Sequence, residues 1–163
     1  MKKLNLCLVF IFIIQVYCAM TFVLAQEDIS HQQIKNTLEA FMNTSLSRDI
    51  NSAMKFVSSN YSSNFYYQNK KIMVDYNKFR LILEQVIANV AIKFVDLSLI
   101  NVKVSELDIQ GNKANLKFEY VVKVFNLVSL EDEVIKSVAA VSLEKEGDNW
   151  KIISWDALNK PAQ

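Results

Sequence analysis

The side chains able to do acid–base, nucleophilic or metal chemistry are few and scattered. The chain has one histidine, His31, and two cysteines, Cys7 and Cys18. A single histidine excludes a two-histidine metal site and leaves zinc chemistry without its usual ligands. His31 falls in the first turn of an expected helix, where the macrodipole disfavours an imidazolium; it is read as solvated. Glu131-Asp132-Glu133 is the densest acidic run. It lacks the spaced oxygen ligands and turn glycine of a calcium loop, so it is read as an exposed loop and no metal is assigned. Asp75 stands directly before an apolar run of helical spacing and reads as a helix cap rather than a catalytic acid. Lys70-Lys71 reads as a solvated hairpin tip. Asn43-Thr44-Ser45 and Asn60-Tyr61-Ser62 are glycosylation sequons, no more than the Asn, Ser and Thr content supplies by chance.

Glycine scarcity excludes whole mechanisms. The two glycines are Gly111 and Gly147, which leaves no phosphate-cradling loop, dinucleotide fingerprint or G-x-S-x-G elbow. No cofactor is expected. Eighteen Lys+Arg against 17 Asp+Glu give a net charge of +1, and without a long basic run nucleic acid is not an expected partner.

Residues 1–25 follow different rules. Lys2 and Lys3 precede an uncharged stretch from Leu4 to Ala25 that ends in Val23-Leu24-Ala25. A positive start, an apolar core and a small residue at the end make a secretory signal. The alternative is an uncleaved anchor, since residues 4–25 are long enough to cross a hydrocarbon core of about 30 Å. Either way the domain at 26–163 is expected to be exported, periplasmic or secreted, touching a membrane only through an uncleaved leader. Both cysteines lie in the leader, so the remaining domain has no thiol or disulfide. It holds sixteen basic and seventeen acidic residues, a net charge of −1.

The elements that must position any site follow from periodicity. Ser30 with Gln33 forms a capping-box signature, ahead of Ile34, Leu38, Phe41 and Met42 at helical spacing, in a helix ending near Leu46. Asp49 caps a short second helix carrying Ile50, Ala53, Met54 and Val57. Residues 58–64 read as a loop, and Phe65 to Val74 as a small hairpin. Asp75 opens a third helix with the stripe Phe79, Ile82, Leu83, Val86, Ile87 and Val90. From Ile92 the period changes to two. Val95, Leu97 and Leu99 alternate, then Ile100, Val102 and Val104 alternate on the opposite parity, as a β-bulge produces. Ala114 to Val124 alternate in the clearest strand. Residues 127–133 form a turn region. Ser137, Ala139, Val141 and Leu143 line the next strand, and Trp150 to Trp155 returns after a turn at Gly147. Simple alternation puts Trp150 and Trp155 on opposite faces, one in the core and one outside. Helices first and strands second give an α+β class: three helices packed on a strongly bent antiparallel four-strand sheet with a small extra hairpin.

This element order, with Ser47-Arg48-Asp49-Ile50 between the first helices and the ending Leu143 to Trp155, resembles the nuclear transport factor 2-like superfamily. That group includes polyketide cyclases and ketosteroid isomerases. The resemblance implies a cone-shaped apolar pocket between helices and sheet, and a homodimer through the outer sheet face. It also implies a test for isomerase chemistry. Aligned on Asp49, the family's oxyanion-stabilising tyrosine position holds Phe41 and its general-base carboxylate position holds Phe65. A phenyl ring can neither donate a hydrogen bond nor take up a proton. No carboxylate occurs between Asp49 and Asp75, so no catalytic residue is assigned.

The pocket candidates are aromatic: Phe41, Tyr61, Phe65, Tyr67, Phe118 and Tyr120. Tyrosine tips among apolar rings suit a small apolar ligand fixed by few hydrogen bonds. The expected function is therefore an exported, non-enzymatic domain binding a small apolar ligand or a protein partner. The alternative is a cyclase- or isomerase-like enzyme acting on an apolar substrate through displaced groups such as Tyr61, Tyr120 or Asp96. A third reading is a dimerisation module held at a membrane by the leader.

Overall fold

The computed structural model describes residues 29–67 and 70–157, with the backbone alone for 65–67, 70 and 157. The leader at 1–25 lies outside the described residues. Two compact units are distinguished, Met1–Gln33 and Ile34–Gln163. The described residues of the first, 29–33, are helical. Ser30 thus follows a residue that is already helical, and is not the helix start its capping-box spacing suggests.

In the second unit, α1 covers residues 34–46. Ile34, Leu38, Phe41 and Met42 are buried, the i, i+4, i+7 and i+8 pattern of a helix laid on a core. Its end is a Schellman motif: Arg48 N donates to Ser45 O at 3.0 Å and Asp49 N donates to Thr44 O at 3.0 Å. This motif needs a left-handed residue at the first position past the cap, usually glycine. Here that residue is Arg48, at φ 65°, a conformation that costs an L residue about 1 kcal/mol or more. Asp49 then caps α2, Ile50–Ala53, its Oδ1 accepting from Ser52 N at 3.0 Å. One turn of 3-10 helix, Met54–Phe56, follows.

Strands β1, Ser62–Tyr67, and β2, Lys70–Asp75, pair as an antiparallel hairpin. It reaches further back than composition suggests, because Ser62, Ser63 and Asn64 pair with Asp75, Val74 and Met73. Lys70 and Lys71 are strand residues opposite Tyr67 and Tyr66, not the hairpin tip. Asp75 caps α3, Tyr76–Lys93, accepting from Lys78 N at 2.9 Å. Among the described residues no helix is long and apolar enough to cross a membrane.

The sheet runs β3–β4–β5–β6, antiparallel throughout, with β3 Phe94–Gln110, β4 Lys113–Asn126, β5 Glu131–Glu146 and β6 Asn149–Ala157. The parity change in β3 is a true bulge, with register shifts between Val95 and Ser98 and between Leu99 and Asn101. A third shift lies between Ser105 and Asp108, and Asp96 and Glu106 take left-handed φ values of 53° and 49°. Each such bulge bends the strand. In β4, Ala114, Leu116, Phe118, Val122 and Val124 are buried as alternation requires.

Two expectations need correction. Glu131-Asp132-Glu133 opens β5 instead of forming a loop. Asp132 pairs with Lys123 Nζ at 2.7 Å, and Glu133 Oε1 accepts from Asn126 Nδ2 at 2.6 Å. The turn is shorter, at residues 127–130, and is braced by Asn126 Oδ1 accepting from Val128 N at 2.8 Å. In β6 the pairs Leu143↔Ile152 and Ser142↔Ser154 leave Ile153 as an extra residue. That shift reverses parity, so Trp150 and Trp155 share the inner face. The core lies between α1 and this face, where Ile34, Leu38, Val102, Phe118, Leu143 and Ile152 are under 2% exposed.

Candidate ligand cavity

The apolar stripe of α3 is only partly covered. Phe79 is buried, Ile82, Leu83, Ile87 and Val90 are half-buried, and Val86 is exposed. Between this stripe, the C-terminal half of α1 and the bent sheet lies a cavity of about 400 Å³. Its sheet wall is Phe94, Leu97, Tyr120, Val122, Val124, Ile135, Ser137 and Trp155, and α1 contributes Phe41, Met42, Ser45 and Leu46, with Arg48 just beyond. Among the described residues, no Asp, Glu, His or Lys lines it. Arg48, Val86 and Ile135 are the lining residues most open to solvent, while Phe41, Met42, Phe79, Val122 and Val124 form a buried floor. A concave, mostly apolar site of this size with a few polar groups matches small-molecule pockets, which run from about 300 Å³ upward.

Two of the six aromatic candidates line this cavity. Phe41 does, with its ring 5.3 Å from Trp155 and 6.4 Å from Phe79. Tyr120 does, half-buried and 5.5 Å from Phe118. Phe118 instead supports the wall from behind: it is wholly buried and meets Trp155 edge-on at 5.1 Å. Tyr61 is also a support, stacked on Phe79 at 4.3 Å with its hydroxyl 3.0 Å from Ser63 Oγ. Phe65 and Tyr67 pair with Ile72 and Lys70 through β1, and their side chains lie outside the described residues. Asp96 is exposed at a β3 bulge and does not line the cavity. Among the described residues no cluster of three His, Cys, Asp or Glu could hold a metal ion.

Sequence reasoning missed Trp155, Ser45, Arg48 and Ser137. Trp155 was hidden by the β6 bulge. Ser45 lies in the last turn of α1 and Arg48 just past its cap, and both line the cavity. Ser45 is 6% exposed and its Oγ has no hydrogen-bond partner among the described residues. An unpaired buried hydroxyl carries a desolvation penalty of about 1–3 kcal/mol.

Burial pushes the Tyr61 phenol up to about 12, partly offset by its hydrogen bond with Ser63. Below pH 10 the phenol is neutral in folded and unfolded chains alike. Between pH 10 and 12 the unfolded chain ionises while the folded phenol keeps its proton. Stability must therefore fall across that window by roughly 2–3 kcal/mol. In Tyr61→Phe this component disappears. Urea unfolding of both proteins across the window is expected to bring their stabilities together as pH rises; parallel curves would contradict the buried phenol.

No family model matches the chain, and neither does any curated protein. Solved structures do match. A nuclear transport factor 2-like superfamily protein from Salmonella enterica is 12% identical with a TM-score of 0.59, covering 81% of this chain and 91% of that one. A candidate dehydratase of the same family from Streptomyces avermitilis is 12% identical with a TM-score of 0.62, covering 83% and 99%. A candidate scytalone dehydratase from Novosphingobium aromaticivorans is 10% identical with a TM-score of 0.60, covering 80% and 84%. At such identities the likeness establishes the fold and leaves the activity open.

Proposed function

We propose that this chain, which has the nuclear transport factor 2-like fold, binds a small apolar ligand without transforming it. The observation that carries this reading is the composition of the cavity: twenty lining residues, largely apolar, with no carboxylate or imidazole among them. Acid–base catalysis needs a proton acceptor within hydrogen-bond reach of the substrate. Tyr120 could donate a hydrogen bond from the wall, but the described lining offers no partner to take a proton. Dehydratase names among the structural neighbours keep an enzyme as the alternative, acting on an apolar substrate. The proposal extends to export directed by residues 1–25. It also extends to self-association through the outer sheet face, where Val134 is exposed beside half-buried Val121 and Val138. The register shift in β6 leaves neither Trp150 nor Trp155 on that face.

Trp155 supplies the test. It lines the cavity, whereas Trp150 is buried in the core. Titration with the neutral probe dodecanol is expected to change tryptophan emission saturably, and Trp155→Phe is expected to remove the change. A wild-type signal that never saturates, or one that survives in Trp155→Phe, would count against the cavity as the binding site.

A further inference from the structure

Resting on that reading, we infer that the ligand is a long-chain carboxylate, held with its chain in the apolar cavity and its head between Arg48 and Ser45. Charge complementarity argues for it. Among the described residues, Arg48 is the one cation in the lining, no anion is in the lining, and no carboxylate pairs with Arg48. Its guanidinium is permanently charged and presents a donor fork matched to a carboxylate. One helical turn further in, the Ser45 hydroxyl is buried and unpartnered. A hydroxyl left without an acceptor and a cation left without an anion line the same cavity, and a single group that accepts from both satisfies them.

Position fits as well. Arg48 lies at the solvent-facing part of the lining, while Phe41, Phe79 and Val124 are buried. An amphiphile entering chain-first would leave its head beside Arg48. The α3 stripe from Phe79 to Val90 runs for roughly 16 Å at the helical rise of 1.5 Å per residue, which suits an extended chain rather than a compact ring. The negative end of the α1 dipole opposes an anion here, but it amounts to about half a charge against the full charge of Arg48. Arg48 also occupies the left-handed position where glycine is the residue of lowest strain. The chain thus keeps a guanidinium where its backbone would favour having no side chain at all.

The test compares laurate with dodecanol, which shares its chain but lacks the charge, by calorimetric titration of wild type, Arg48→Gly and Ser45→Ala. Wild type is expected to bind laurate at least tenfold more tightly than dodecanol. Arg48→Gly should erase that preference, laurate falling to the affinity that the same variant has for dodecanol, and its thermal midpoint should rise as the backbone strain is relieved. Ser45→Ala should weaken laurate several-fold without lowering the midpoint of the unliganded protein. Equal affinity for the two probes in wild type, or a preference that survives in Arg48→Gly, overturns the head-group assignment and leaves the apolar cavity standing. If neither probe binds, this inference and the ligand-binding reading fall together.

Discussion

Phe118→Ala is expected to destabilise the protein by about 3–5 kcal/mol, the range for removing a wholly buried phenyl ring. Phe118 is 0% exposed and stands at the centre of β4, between Val104 on β3 and Ala139 on β5. Its ring meets Tyr120 at 5.5 Å and Trp155 at 5.1 Å, so the loss includes aromatic contacts worth about 0.5–1.5 kcal/mol each beyond burial. Native domains are stable by only about 5–15 kcal/mol. The substitution therefore consumes a large share of the total, and a drop in thermal midpoint on the order of 10 °C follows. Ile82→Ala provides the contrast. Ile82 lines the cavity and is half-buried, so its removal enlarges a space that already exists, at a cost of about 1 kcal/mol. Chemical denaturation of the two variants separates supporting wall from open cavity. Equal losses would mean that the α3 stripe is as tightly covered as the core.

The second large effect is on binding. Val122→Trp places an indole on the cavity floor, where Val122 is 5% exposed between Tyr120 and Val124. The added ring fills space that a ligand would otherwise occupy. Affinity for dodecanol is expected to fall by about 2 kcal/mol or more, roughly thirtyfold. Stability should change much less than in Phe118→Ala, because the new side chain buries apolar surface at about 25 cal/mol per Å² against a strain of 1–3 kcal/mol. Titration paired with thermal unfolding reads both quantities. Unchanged binding in a folded Val122→Trp protein would place the ligand elsewhere.

The fold was more legible in the sequence than the site, for identifiable reasons. The alternation of Ala114 to Val124 could be read directly because β4 pairs without interruption along β5. The bulge in β3 was legible because apolar residues stand on both sides of it, at Leu97 and Leu99 and then at Val102 and Val104. The bulge at Ile153 was not. The run Ile152-Ile153-Ser154-Trp155 is apolar on either parity at its start, so nothing in it marks the extra residue. That single shift puts Trp155 on the cavity wall and on the same face as Trp150, where simple alternation separated the two.

The α3 stripe had a different limit. Phe79 to Val90 reads as an apolar face, and periodicity reports which residues share a face without reporting what covers it. A filled core and an open cavity share that signature. The pocket aromatics divided for the same reason: Phe41 and Tyr120 reach the cavity, while Phe118 and Tyr61 stand behind it, and alternation cannot separate the first layer from the second. Arg48 looked like part of a connecting phrase because its left-handed backbone and its place on the cavity are properties of the folded chain.

The account stands on one claim, that the apolar cavity beside α3 takes up a small ligand. Methyl-resolved nuclear magnetic resonance during titration with dodecanol tests it most directly. The methyl groups of Leu83, Ile87, Leu97 and Val122 line the cavity, those of Leu38, Leu143 and Ile152 lie in the filled core, and Val128 and Leu130 are exposed in the β4–β5 turn. The account predicts that the first group shifts together and saturates while the core and turn methyls stay in place. Shifts confined to Val128 and Leu130, or no saturable shift in the first group, would contradict it.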